Sequence, residues 1–449
     1  MSAGVSLELN GSPVTLSFDT KALAEIQKQS TGNISITIVP NAKLSASAKT
    51  VIDTRPVYDL TVNYTTDGKN ATVSSFGGGT ATVSIPYTPA KDEAIDGLYA
   101  VYVDAKGNAT RIAGSAYDTN SGCVMFTTSH FSLYGIGYTA PSAKFTDITT
   151  HWAKESIDYV VGRGLLSGTT DTTFAPDTAM TRGMLVTALG RLANVDTKAY
   201  TTNSFTDVKA DSAFCPYIEW AYSKGIVQGT GNSKFEPDRA ITREEIAVIF
   251  ANFAKATGYT LPGTRTAATY ADASSIGSTY KTAVTAMQQA GIMMGGSGNN
   301  FNPKSSATRA EVSSMLHRYI KLTIDPATAQ GWAKNDVGQY LYYKDGKVLT
   351  GTQTIDSVKY FFETNGTLKT GWVKDDAGNW RYYTGNKAAV SWLDISDKRY
   401  YFTKDGIMVS GKWLEIGGKW YYFYADGGLA KNAKIDGYEV DKNGVRKSK

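Results

Sequence analysis

The chain is 449 residues long, with a net charge of +5, two cysteines and three histidines. That length exceeds what one core supports and predicts three or more domains. The mild positive charge, drawn mostly from a Lys-rich C-terminal quarter, suits an anionic polymer but carries little weight for nucleic acid, which is not expected as a partner. His130, His151 and His317 are too widely spaced to suggest a metal site, and Cys123 and Cys215 fall in different expected domains, so no disulfide is expected. No apolar run is long enough to span a membrane. Nor is there a phosphate-binding glycine loop, metal-ligand spacing or nucleophile elbow, so no enzyme activity and no cofactor are expected.

Met1-Ser2-Ala3-Gly4 opens without the basic and apolar segments of an export signal. An exported protein would have lost that signal before this point. From about Gly4 to Tyr138 apolar residues recur with period two. Ile34, Ile36 and Ile38 alternate with Ser35 and Thr37, and Val57 to Val62, Ala81 to Ile85 and Val124 to Thr127 read alike. Turn clusters such as Asp67-Gly68 and Gly77-Gly78-Gly79 separate them. Residues 1–140 are therefore expected to form a β-sandwich of roughly seven strands with one short helix near Lys21 to Gln29. His130-Phe131-Ser132, followed by Leu133, Tyr134 and Ile136, resembles the His-Phe-Ser strand of ZU5-type β-sandwich domains. That resemblance implies self-cleavage, with Ser132 attacking the Phe131 carbonyl and His130 as base. A core-facing closing strand is the alternative.

Thr139 to Ala143 read as a short linker. The next stretch, 144–322, says the same thing three times, with repeats at 144–195, 205–257 and 270–322. Phe145-Thr146-Asp147-Ile148, Phe205-Thr206-Asp207-Val208 and Tyr270-Ala271-Asp272-Ala273 open the units. Phe174-Ala175-Pro176-Asp177, Phe235-Glu236-Pro237-Asp238 and Phe301-Asn302-Pro303-Lys304 follow at matching places, and Thr181-Arg182, Thr242-Arg243 and Thr308-Arg309 open a second helix in each. A helix pair this short cannot bury its apolar stripe alone, so the three are expected to pack about a common axis. These motifs resemble the S-layer homology domain of bacterial surface proteins. The resemblance implies a pseudo-threefold α-helical spindle whose grooves bind secondary cell-wall polysaccharide at pyruvylated sugars.

The residue chemistry suits such a ligand. Arg182, Arg243 and Arg309 each offer a planar guanidinium to a carboxylate, beside the amides of a helix start. Asp147, Asp207 and Asp272 are candidates to accept sugar hydroxyls or to hold the arginines, and Trp152 offers a face for a pyranose ring. The second and third repeats replace Trp152 by Ala213 and Thr279, beside Phe214 and Tyr280. The first repeat reads Thr181-Arg182-Gly183-Met184 where the third reads Thr308-Arg309-Ala310-Glu311. The grooves are therefore expected to be unequal. The plain structural alternative is a salt bridge for each arginine and a turn-forming or capping role for each aspartate.

After Ile324-Asp325-Pro326, aromatic clusters recur at a period of roughly 20 residues through 331–449. Gly331-Trp332, Gly371-Trp372, Ser391-Trp392 and Lys412-Trp413 alternate with Tyr342-Tyr343, Phe361-Phe362, Tyr382-Tyr383, Tyr400-Tyr401-Phe402 and Tyr421-Tyr422-Phe423, with Asp-Gly or Asn-Gly turns between. A β-hairpin solenoid results, resembling choline-binding and glucan-binding cell-wall repeats, which implies aromatic boxes for a quaternary ammonium or a glycan. A box needs a Trp opening the cluster. Trp380 and Trp420 supply it, whereas Gln339, Lys359 and Arg399 stand there elsewhere. Candidate pockets thus reduce to Trp372, Trp380, Trp392, Trp413 and Trp420 with Tyr382, Tyr401 and Tyr421; the alternative is that these aromatics only form the core.

The whole reads as a multidomain α+β surface protein of a Gram-positive cell wall, extracellular and non-enzymatic. It would hold wall polysaccharide, and choline or glucan, through many weak sites, and lattice assembly is compatible with it. The alternatives are the targeting region of a longer wall hydrolase or glycosidase, and an adhesin for host glycans.

Overall fold

The computed structural model describes residues 7–9, 13–30, 32–40, 43–66, 69–141 and 144–447. The expected Asp67-Gly68 turn, the first four residues and Ser142 and Ala143 of the linker lie outside them. The chain forms two compact units, Met1–Gly296 with Asn300–Ala329, and Gln330–Lys449 with Ser297–Asn299. It is mixed α/β, with a C-terminal part made of hairpins.

Among the described residues the N-terminal part holds eleven strands, against the seven or so expected. One antiparallel sheet runs β1 (Leu7–Leu9), β2 (Thr15–Phe18), β6 (Ala81–Pro86), β10 (Cys123–Thr128), β9 (Ala116–Asp118). The other runs β3 (Ile34–Pro40), β4 (Val57–Thr66), β11 (Leu133–Tyr138), β7 (Leu98–Val103), β8 (Ala109–Ile112), with β5 (Lys69–Thr72) on β4. The sheets share one core, to which Leu16, Phe18, Val83 and Phe126 come from the first and Leu60, Val62, Ala100 and Ile136 from the second. Alternation puts every second residue inside, as Ala81, Val83 and Ile85 show in β6. The expected helix is α1 (Thr20–Gln29), capped by Asp19, whose carboxylate accepts the Ala22 amide at 2.7 Å. A second helix, α2 (Ala46–Ile52), is not foreseen by the sequence, because seven residues span too few turns to give a periodic signal.

Each central repeat is a helix pair: α3 (Lys154–Gly162) with α4 (Arg182–Leu192), α5 (Cys215–Ser223) with α6 (Arg243–Ala256), and α7 (Lys281–Gln289) with α8 (Arg309–Ile324). The first helix of each ends before a glycine in the left-handed region, Gly164, Gly225 and Gly291, at φ of 71°, 66° and 76°. The second helices start at Thr181, Thr242 and Thr308. Full capping boxes with Glu245 and Glu311 form in the second and third repeats only, because Met184 stands at the matching place in the first.

The helical part is joined to the sandwich by more than a linker. Arg163 at the end of α3 is buried, and its guanidinium donates to the carbonyls of Asp96 (2.9 Å), Leu98 (2.9 Å) and Ser115 (3.2 Å) in the sandwich. It also stacks on Tyr159 at 3.4 Å. At the same junction Lys321 pairs with Asp96 at 2.6 Å, and the His317 ring stacks on Tyr159 at 3.9 Å. Ala113 and Ala116 of the sandwich accordingly join the helical core.

Candidate functional site

In each repeat the opening aromatic packs on the loop Phe: Phe145 on Phe174, Phe205 on Phe235, Tyr270 on Phe301, with centroids 5.8, 5.4 and 5.2 Å apart. The residue after that Phe is left-handed although it is not glycine: Ala175, Glu236 and Asn302 lie at φ of 56°, 59° and 55°. Such a residue costs about 1 kcal/mol or more. The opening aspartates hold it there. Asp147 accepts the amides of Phe174 (3.0 Å) and Ala175 (2.7 Å), Asp207 those of Phe235 and Glu236 (both 2.8 Å), and Asp272 those of Phe301 (2.8 Å) and Asn302 (2.7 Å). Burial pushes the Asp147 and Asp207 carboxyls up, but these amides outweigh it and hold both below the usual carboxylate range. The structure thus places the three aspartates as clamps on the loop backbone.

The three arginines are buried and reach across to the next repeat in a closed ring. Arg182 Nε donates to Phe235 O at 2.9 Å, Arg243 Nε to Phe301 O at 2.7 Å, and Arg309 Nε to Phe174 O at 3.0 Å, each guanidinium lying over that phenyl ring. The helix-start amides, expected to face a ligand, are spent in the same way. Arg182 and Gly183 donate to Arg239 O and Pro237 O, Arg243 and Glu244 to Ser305 O and Pro303 O, and Arg309 and Ala310 to Thr178 O and Pro176 O. These carbonyls correct the expectation that the amides are open.

The arginines differ in what their outer nitrogens meet. Arg182 Nη1 lies 3.5 Å from Glu245 and Arg243 Nη1 3.1 Å from Glu311. Around Arg309 the matching side chain is Met184, whose Sδ is 4.0 Å from Nη1, while Nη2 donates to Ser167 O at 2.6 Å. Among the described residues Arg309 has no carboxylate within 4.0 Å, and burial presses its guanidinium below its ordinary value while the Asp147 charge acts against that. Near this loop His151 lies 3.3 Å from Asp177 and 5.6 Å from the half-buried Trp152 ring.

The hairpins build a second kind of site. Each cage takes a Trp from the first strand of a hairpin, a residue from the start of its second strand, and a Tyr from the next hairpin. Trp332 and Tyr340 (6.3 Å) meet Tyr360 (4.9 Å); Trp372 and Trp380 (6.3 Å) meet Tyr400 (4.9 Å). Trp392 meets Tyr421 at 5.0 Å, but Arg399 supplies the second wall and lies over Trp392 at 4.9 Å. Trp413 meets Tyr438 at 6.0 Å with Trp420 as the second wall. Tyr382 and Tyr401 are cross-strand partners that brace Trp372 and Trp392 at 5.1 Å each. Lys374 Nζ lies 5.6 Å from the Trp380 ring, and both Trp372 and Trp380 are partly open to solvent.

Family models for the S-layer homology domain match residues 144–183, 204–247 and 269–313, and for the choline-binding repeat 349–392 and 389–433. The chain carries S-layer homology repeats and choline-binding repeats. Among curated proteins it is 28% identical to an amylopullulanase of Thermoanaerobacterium thermosulfurigenes over 70% of this chain and 16% of that protein. It is 26% identical to an S-layer protein of Bacillus thuringiensis subsp. finitimus over 40% of this chain and 22% of that one. Among solved structures, the choline-binding domain of Spr1274 from Streptococcus pneumoniae is 37% identical, covering 18% of this chain and 96% of that one, with a TM-score of 0.17. The chain thus spans less than a quarter of these curated relatives' length. The repeats and S-layer relatives indicate a cell-surface or cell-wall protein, and no helix among the described residues is long and apolar enough to cross a membrane.

Reading the choline-binding repeats from sequence misplaced one wall. The position opening the cluster in the first hairpin is Tyr340, paired with Lys334 as Trp380 is paired with Lys374, and not Gln339. In the first and third hairpins five residues join the last paired positions (335–339 and 375–379), against two in the other four. His130-Phe131-Ser132 lead into β11 rather than forming part of it: Phe131 packs against Phe18 and Phe76, Ser132 Oγ donates to Val103 O at 3.3 Å, and the His130 ring lies against Tyr102. Cys123 and Cys215 are both free and buried. Among the described residues no cluster of His, Cys, Asp and Glu could hold a metal.

Proposed function

We propose that this chain is a non-covalent anchor to a Gram-positive wall. In this reading the S-layer homology repeats form a spindle that takes an anionic, pyruvylated sugar of the secondary wall polymer at the Arg309 groove, with Asp147 holding the loop and Trp152 offering a stacking face. The choline-binding repeats hold a quaternary ammonium in the Trp332–Tyr340–Tyr360 and Trp372–Trp380–Tyr400 cages. The observation that carries the reading is that, among the described residues, no carboxylate lies within 4.0 Å of Arg309, where Arg182 and Arg243 have one. A buried guanidinium that no carboxylate among the described residues touches favours a bound anion, and the planar fork suits a carboxylate. Arg182 and Arg243, already paired, then act chiefly as ties between repeats. Several weak sites on one chain gain by effective concentration.

A second reading, the targeting region of a longer glycan-degrading enzyme, is favoured by relatives named amylopullulanase, exoglucanase and endo-xylanase, of which the chain spans 16%, 17% and 9%. The same anchoring chemistry serves either. The test is co-sedimentation with Gram-positive sacculi, before and after acid extraction of the secondary polymer, with free choline as competitor. Pelleting that extraction abolishes supports the spindle as anchor; pelleting that only choline abolishes shifts anchoring to the hairpins; failure to pellet with any wall refutes the reading.

A further inference from the structure

The cages share one template, and one residue departs from it. At each cage the chain returns one residue by a β-bridge to the hairpin that supplies the third wall: Leu368 to Phe362, Met408 to Phe402, Leu429 to Phe423 and Arg446 to Val440. The amide of that residue donates to the carbonyl of the second wall: Leu368 to Tyr340, Met408 to Trp380 and Leu429 to Arg399, each at 2.8 Å, and Arg446 to Trp420 at 2.9 Å. The position is apolar in three cages and a guanidinium in the fourth. The Arg446 guanidinium carbon lies 5.8 Å from the Trp413 ring centre, 5.2 Å from Trp420 and 4.6 Å from Tyr438. All three walls of the fourth cage therefore face one internal cation within cation–π range.

We propose that Arg446 is an internal ligand that closes the Trp413–Trp420–Tyr438 cage to quaternary ammonium compounds and so sets how many the chain holds. This rests on the reading that the open cages take such a ligand. The tethered guanidinium wins because it is already positioned by its backbone bond to Trp420, whereas free choline gives up translational freedom to enter. Arg399 plays a related part from the wall of the third cage, over Trp392.

The experiment is isothermal titration calorimetry of choline chloride into the full chain, its Arg446→Met variant and its Trp413→Ala variant, with Trp380→Ala marking an open cage. Arg446→Met restores the residue type of the Trp372–Trp380–Tyr400 cage and is expected to add one choline per chain, while Trp413→Ala leaves the wild-type stoichiometry unchanged. The proposal is overturned if Trp413→Ala removes a site from the wild type, or if folded Arg446→Met binds no more than wild type while Trp380→Ala binds less. An NMR readout needs no choline: ring currents should shift the Arg446 δ protons upfield, and Trp420→Ala should move them back. If no variant binds choline, the functional reading fails, and the shift alone then upholds the occupied cage; an unshifted Arg446 signal overturns it.

Discussion

Met184→Glu separates binding from folding at the Arg309 groove. In the third repeat the equivalent Glu311 accepts the Thr308 amide at 2.7 Å and meets Arg243 at 3.1 Å. A glutamate at 184 would complete the same capping box with Thr181, worth about 1 kcal/mol. It would also face Arg309, where a charge-assisted contact is worth about 1.5–3 kcal/mol before the cost of burying the carboxylate. The expected net is a stabilisation of about 1 kcal/mol, or a Tm rise of roughly 2–4 °C for a unit of this size. An anionic sugar would lose the contact the new carboxylate takes, so affinity for unextracted sacculi should fall roughly ten- to hundredfold. Met184→Gln completes the cap without the charge and should be stabilised while binding normally. A stabilised Met184→Glu protein that pellets like wild type would refute the role given to Arg309.

Other outcomes follow from the same geometry. Asp207→Asn should lower stability by about 1–2 kcal/mol in urea unfolding, since the left-handed Glu236 loses a charged acceptor, without changing choline binding. Arg163→Leu leaves three sandwich carbonyls without their donor and should cost about 3 kcal/mol or more, splitting one calorimetric transition into separate sandwich and helical ones. Burial pushes the His317 imidazole down to about 3, against the pull of Asp96 and alongside Lys321, Arg163 and Arg318. Because the unfolded chain then binds a proton that the folded chain refuses, stability should fall as pH drops from about 6.5 toward 3, by up to about 1.4 kcal/mol per pH unit. His317→Phe should flatten that limb of the urea midpoint against pH. Lys374→Gln removes a like charge beside Trp380 and should tighten choline severalfold in calorimetry, the more so at low salt.

Much of this molecule is legible in its sequence because repeats declare themselves. The aromatic-x-Asp openings, the Thr-Arg helix starts and the Trp and Tyr clusters recur in the same order at similar intervals, and local rules for caps, turns and alternation then place helices, strands and hairpins. Contacts between repeats could not be read that way. Nothing in the order of residues says that Arg309 crosses to Phe174 or that Met184 stands where a glutamate would neutralise it, since these partners lie over a hundred positions apart. The aspartates likewise look like sugar ligands until the fold turns the amides of a left-handed loop residue toward them. Arg446 sits in a charged tail by composition, and only strand register brings it among three aromatic rings. Sequence determined the elements and their repeats, because those follow from neighbours along the chain. Tertiary structure decided which arginines meet a carboxylate and what each aromatic cage encloses, because that depends on what the next repeat places opposite them.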